Sequence, residues 1–121
     1  MSQWFALKYP LKAGSEEVVA KIFQQSGRPE HTITAPDGTT IGHLLTTLVF
    51  MGKEMAIRVI EVEGDLRQVA MHMSRQQQVR DFEREIEPHL AVPRDMVTPG
   101  GAQQFFRDAG LECVLVRQHD Q

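Results

Sequence analysis

Ile57 to Leu90, IRVIEVEGDLRQVAMHMSRQQQVRDFEREIEPHL, contains the change of hydrophobic period that decides the fold. Its opening residues alternate, Ile57 and Val59 on one register and Ala56, Arg58, Ile60 and Val62 on the other, and the β-branched content marks a strand. Gly64 and Asp65 turn the chain and cap a helix whose Leu66, Val69, Ala70 and Met73 recur at i, i+3, i+4 and i+7. A polar break from Gln76 to Gln78 leads to a second stripe, Val79, Phe82 and Ile86, which Pro88 stops because it has no N–H to continue a helix.

Upstream, residues 3 to 12 also alternate. Phe5, Leu7, Tyr9 and Leu11 point one way, Trp4, Ala6 and Lys8 the other, as in a strand with one buried face. Ser15 is placed to cap a helix with Glu16 and Glu17 in its first turn and Gly27 at its end, and Val18, Val19, Ile22 and Phe23 form its apolar stripe. Arg28 to Thr40, RPEHTITAPDGTT, reads as a mobile loop. Ile41 to Phe50 and Met55 to Glu63 are two apolar runs joined at Met51-Gly52-Lys53-Glu54, a β-hairpin. Downstream, AVPRDMVTPGG is a loop, Ala102, Phe105, Phe106 and Ala109 give a short helix that Gly110 ends, and Leu111 to Arg117 alternates as a last strand.

The order is that of a ferredoxin-like split βαβ repeat in one α+β domain over residues 1–121, with extra helices before the last strand. It predicts an antiparallel four-stranded sheet in the order 4-1-3-2, with helices on one face only. The other face is apolar in places and needs a cover, and a second copy of the chain would provide one, so a homodimer is expected.

Composition narrows the partners. Hydrophobic residues are 41% and charged residues 24% of the 121, an ordinary globular balance, and the net charge of -3 comes with no basic cluster to attract nucleic acid. There is no leader-like N-terminus and no apolar run near the ~18 residues that span a bilayer, so a cytoplasmic protein without a membrane is expected. Cys113 is the single cysteine. No G-x-G-x-x-G follows a strand, and His31, His43, His72, His89 and His119 are dispersed, so neither a dinucleotide cofactor nor a metal is expected.

The stretch VIEVEGDLRQVAMHMSRQQQVRDFEREIEPHL is similar to the strand-turn-helix of the dimeric α/β-barrel superfamily, which includes antibiotic-biosynthesis monooxygenases and small polyketide cyclases. The features that carry the likeness are Glu61 on the strand, Asp65 in the turn, His72 and Ser74 on the helix and Phe82 beyond it. ALKYPLKAGSEEVVAKIF resembles that superfamily's first strand and helix. With TLVFMGKEMAIRVIEVEGD, EIEPHL, PRD and a Phe-Phe helix before the last strand, the chain resembles the SchA/CurD-like family of aromatic polyketide and spore-pigment clusters over about Phe5 to Arg117. The resemblance implies a dimeric barrel and an accessory enzyme acting on a poly-β-ketone or an early polycyclic phenol, with Glu61 and Phe82 among the residues against the substrate.

The residues themselves offer three candidates for chemistry. His72 lies at the edge of its helix's buried stripe, where a near-neutral imidazole can take a proton from a phenol or from carbon flanked by ketones, or can simply bond to a neighbouring strand. Arg58 inside a strand either pairs with an acid or offers donors to an enolate oxygen. His43, which the period places beside Ile41, Leu45 and Val49, is a core residue or a second base. Trp4 either stacks on a flat ligand or packs on a partner, and Met55 and Met73 suit an adaptable pocket wall or an irregular core. Arg75, Arg80 and Arg84 with Glu83, Glu85 and Glu87 read as a solvated helix face. The expected function is a cofactor-independent polyketide cyclase. The alternatives are a cofactor-free monooxygenase that turns an anthrone or naphthol into a quinone, and a non-catalytic subunit that binds the polyketide or its synthase.

Overall fold

The structure is a computed structural model and describes residues 2–96 and 98–119. In chain order the elements are β1 (Ser2–Pro10), α1 (Glu16–Gln25), β2 (Thr32–Thr34), β3 (Thr40–Gly52), β4 (Met55–Gly64), α2 (Leu66–Ser74), α3 (Gln77–Ile86), a 3-10 turn (Glu87–His89), α4 (Pro99–Ala109) and β5 (Gly110–Glu112). The sheet runs β2-β3-β4-β1-β5 with every neighbouring pair antiparallel. The anticipated order survives as β5-β1-β4-β3, but the sheet has five strands and not four.

The fifth strand, β2, comes from the stretch expected to be a loop. Ile33 is buried against Val62 and Val69, and that one anchor draws Thr32–Thr34 onto the edge of β3. The amide of Leu44 also donates to the His31 carbonyl at 2.8 Å, and the amide of Glu30 donates to Gln76 Oε1 at 2.7 Å. A three-residue strand with one apolar member is too short for a period to register. The last strand is shorter than expected in turn: β5 pairs only with Phe5 to Leu7, and residues 113–119 leave the sheet.

A β-bulge corrects the faces of β3. Leu44 stands opposite Val62 and Thr46 opposite Glu61, so Leu45 is the extra residue and the alternation inverts there. Thr46, Leu48 and Phe50 therefore share a face with Glu61, Val59 and Ile57, and Thr47 and Val49 share the other with Ile60 and Arg58. His43 pairs with Glu63 and so lies on the first of these faces, away from Val49.

The helices cover one face only. Leu7, Tyr9 and Ala56 of the sheet pack with Val19 of α1, Phe82 and Ile86 of α3, and Leu90, while Phe105, Phe106 and Ala109 of α4 lean on the same cluster. Burying a side chain such as Ile86 contributes roughly 1.5–3 kcal/mol, so this cluster is the main source of stability. A smaller cluster of Ile33, Val62 and Val69 seats α2, with Met73 at its margin. Gly64 makes the turn into α2 at φ +104, and a Cβ there would stand 2.6 Å from the Ile41 carbonyl oxygen. Asp65 then caps α2, its Oδ1 accepting from the Gln68 amide at 2.9 Å. Ser15 precedes α1 as expected, but its side chain makes no capping hydrogen bond.

The opposite face carries Trp4, Ala6, Lys8, Leu48, Phe50, Ile57, Val59 and Leu111 by register, and among the described residues no helix packs on it. Phe50 is 59% exposed and, in the segment after β5, Val114 is 88% exposed. No helix among the described residues is long and apolar enough to cross a membrane.

Candidate active site

Arg58 is the one charged side chain that β4 sends to the helix side, flanked by Ala56, Ile60 and Val62 on its own strand and facing Leu7 and Val49 across it. What meets it there is a set of aromatic rings. Its Cζ lies 4.6 Å from the centroid of Phe82, 5.4 Å from Phe23 and 5.8 Å from Tyr9. Among the described residues it has no hydrogen-bond acceptor and no carboxylate, and its Nε is buried without a partner. Such ring contacts contribute about 0.5–2 kcal/mol each, which offsets part of the desolvation of the cation and leaves its hydrogens unspent.

Arg94 is held quite differently. It reaches in from the segment after the 3-10 turn, its side chain is 5% exposed, and its Cζ lies 4.6 Å from the Phe105 centroid and 5.8 Å from that of Tyr9. Its Nε donates to Glu87 Oε2 at 3.0 Å, and its Nη2 is in direct ionic contact with Glu83 Oε2. Glu83 of α3 and Glu87, the first residue of the 3-10 turn, stand four apart on the flank of the Phe82-Ile86 stripe, so both reach one guanidinium. They are not a solvated face, as the sequence alone implied. Glu83 is only 15% exposed.

Tyr9 lies between the two guanidiniums. It is 1% exposed, its ring packs on Phe23 and Phe105 at 5.9 and 5.6 Å, and its hydroxyl has no hydrogen-bond partner among the described residues. Burial pushes the phenol's pKa up, and the Arg58 charge pulls part of the way back. The O–H therefore stays protonated at neutral pH and is available to donate. A cleft of about 460 Å³ leads in from the surface, lined by Tyr9, Leu90, Val92, Arg94, Phe105 and Ala109 among others.

The structure brings together two of the residues expected at a site, Arg58 and Phe82. Met73 is on the same side of the sheet but belongs to the smaller cluster, where Gln76 Nε2 approaches its sulfur at 3.5 Å. His72 is half-buried on α2; among the described residues no hydrogen bond, ion pair or ring contact involves its side chain, and it does not line the cleft beside Tyr9. Trp4, Glu61, Met55 and His43 belong by register to the uncovered face. There Glu61 accepts from Ser2 and Thr46 hydroxyls, both at 2.8 Å, and His43 Nε2 lies 3.8 Å from Glu63. Trp4 lines a second cleft with Leu66, Cys113 and Val116. The described residues include no group of His, Cys, Asp or Glu that could hold a metal.

Tyr9, Phe23, Glu83, Arg94 and Phe105 were not singled out as site residues by sequence reasoning. The spacing of Glu83 and Glu87 beside a buried stripe was a usable signal; an arginine between Pro93 and Asp95 in a loop gave none.

The chain matches the SchA/CurD like domain over residues 2–119. It belongs to that family. Among its relatives are Polyketide synthase CurD of Streptomyces cyaneus, 36% identical over 109 residues, and Protein SchA of Streptomyces halstedii, also 36% identical over 109 residues. The 42.8 kDa protein in the whiE locus of Streptomyces coelicolor is 33% identical over the same length. Each alignment covers 90% of this chain but only 26–28% of the relative, so this SchA/CurD-like chain spans about a quarter of those proteins. In fold it is similar to a crystal structure from Chloroflexus aurantiacus J-10-fl described as an antibiotic biosynthesis monooxygenase, at a TM-score of 0.56 and 15% identity over 98% of this chain and 97% of that one.

Proposed function

We propose that this SchA/CurD-like domain matures aromatic polyketides without a cofactor, as a cyclase that closes and dehydrates a ring on a poly-β-ketone chain. The observation that carries this reading is the Arg58 guanidinium, half-buried among rings with its Nε buried and, among the described residues, no carboxylate paired with it. In an aldol closure a base takes a proton from carbon between two ketones, the enolate carbon attacks a second ketone, the new alkoxide takes a proton, and water leaves. Negative charge gathers on oxygen in the first two steps. A cation already in place and not neutralised by the protein is suited to meet it. Phe105 lines the cleft as a flat apolar wall, with Phe23 and Phe82 in the core around Tyr9 and Arg58, and holding a flexible chain folded raises the effective concentration of its reacting carbons.

In this reading His72 is the base. Its ring nitrogens have no described partner, and an imidazole can both take up and give back a proton. Met73 and Phe82 are wall residues on the helix side. His43, Trp4, Glu61 and Met55 take part only through a chamber enclosed on the other face. The CurD relative is named a polyketide synthase, which supports the same substrate class.

We infer that a second copy of the chain covers that other face. Leu48, Phe50 and Leu111 are exposed there, and Lys8, for which no ion pair is described, stands at the opposite end of the face from Glu61. A two-fold axis across the strands lays the Lys8 end of one copy over the Glu61 end of the other, so the pattern is self-complementary. Light scattering behind size exclusion should give twice the mass of the chain, and a monomer at all concentrations would refute it.

The test of function uses metal-stripped protein with a poly-β-ketone and with an anthrone, under nitrogen and in air with an oxygen electrode. Ring closure under nitrogen that is lost in His72→Ala and Arg58→Met supports the cyclase. Oxygen uptake with quinone formation replaces it by the monooxygenase. An unchanged product profile in both variants leaves a non-catalytic binding subunit.

A further inference from the structure

Tyr9 is a residue that core packing alone does not explain. Its ring is 1% exposed and surrounded by Phe23, Phe105 and two guanidinium faces, an environment a phenylalanine would fill as well. Its hydroxyl has no partner among the described residues, and an unpaired buried hydroxyl is destabilising, so a tyrosine here lowers stability without a structural return.

The neighbouring charges show what the hydroxyl can do. Arg94 is neutralised by Glu83 and Glu87, whereas Arg58 is left with rings alone. Tyr9 on β1 and Arg58 on β4 project from adjacent strands to the same side, one register step apart, because Leu7 stands opposite Arg58 and Tyr9 opposite Ala56. Two unspent donors, one neutral and one cationic, thus project into the same ring-lined interior, the Arg58 Cζ 5.8 Å from the Tyr9 ring centroid; Arg94 Nη1 also lacks a hydrogen bond there, but the Arg94 charge is balanced. The cleft of about 460 Å³ reaches Tyr9 from outside.

We propose that the Tyr9 hydroxyl and the Arg58 guanidinium form one subsite for an oxygen of a planar enol or phenol, the hydroxyl donating a hydrogen bond to it and the guanidinium balancing its negative charge. This rests on the reading above, in which the interior receives a polyketide-type ring, and deepens it by naming the atom that is gripped. The elevated pKa of the buried phenol keeps its proton on Tyr9, so the bond runs from protein to ligand.

The experiment compares binding of 1-naphthol and of naphthalene, which differ by the hydroxyl alone, by calorimetry to wild type, Tyr9→Phe and Arg58→Met, with melting curves for all three. Wild type should prefer 1-naphthol by on the order of tenfold, the value of one good hydrogen bond in a dry site. Each variant should lose most of that preference and bind naphthalene as before, and Tyr9→Phe should melt at the wild-type temperature or above it. A Tyr9→Phe protein that keeps the preference overturns the proposal, as does one that melts several degrees lower, because the hydroxyl would then be partnered by the protein. Wild type that binds neither compound overturns it too. Wild type that shows the preference but converts neither anthrone nor poly-β-ketone supports the subsite and removes the enzymatic reading alone.

Discussion

The two faces of the sheet reverse the usual distribution of side chains. Among the described residues the covered face holds a half-buried arginine without an ion pair, a buried arginine paired with two glutamates and a buried phenol without a hydrogen bond, while the uncovered face presents Leu48, Phe50 and Leu111 to water. Stability alone predicts the opposite on both sides, since buried polar groups without partners and exposed apolar patches each raise the free energy. This reversal is the start of both proposals: a ligand with an oxygen to bind would answer the inner face, and a second copy of the chain the outer one.

The comparison can be broken by substitution, beginning with the packing that both faces share. Phe82→Ala removes a ring that supports Arg58 and a main member of the core, and should cost about 4 kcal/mol in urea unfolding. A loss under 1 kcal/mol would mean that the helix face is loosely packed and the cage around Arg58 is not preorganised. Glu83→Ala leaves Arg94 buried with Glu87 as its remaining acid, and should cost about 3 kcal/mol by the same measurement. No loss would return Glu83 to the solvated face that the sequence implied.

Tyr9 gives a smaller effect with a definite sign. Its ordinary pKa of 10.0 is raised in the fold by burial. Below pH 10 both folded and unfolded chains hold the proton; above it the unfolded chain releases it first, so stability falls as pH rises through this window, by at most about 1.4 kcal/mol per unit. Melting temperatures measured from pH 9 to 11 should therefore drop more steeply for wild type than for Tyr9→Phe, and parallel curves would contradict the burial of the hydroxyl. On the outer face Phe50→Asp should change the stability of the isolated chain by less than about 0.5 kcal/mol, because the ring is already exposed. It should nonetheless halve the mass seen in light scattering, and a variant that stays dimeric would place the interface elsewhere.

Much of the fold was legible from Ile57 to Leu90, since strand period, Asp65 cap and two helical stripes are local signals and the structure keeps them all. The order of the four principal strands followed from connectivity. What escaped was set by single contacts: Ile33 in the smaller core makes β2, and the bulge at Leu45 moves His43 to the face opposite the one its neighbours implied. The candidate site was legible only in part for the same reason. Arg58 stood out because a charge interrupted an apolar strand, whereas Glu83 and Glu87 were indistinguishable from surface charges until Arg94, from a loop of no regular period, was folded against them.

The most direct measurement is the rate of poly-β-ketone ring closure by Arg58→Met, taken beside its melting curve. Methionine keeps most of the stem's volume and removes a half-buried charge that no carboxylate among the described residues pairs with, so the variant should melt no lower than wild type and close the ring at least a hundredfold more slowly, within the range lost when a preorganised donor is deleted. Wild-type rates from a well-folded Arg58→Met protein would contradict the claim that this guanidinium is kept free for the substrate's oxygen.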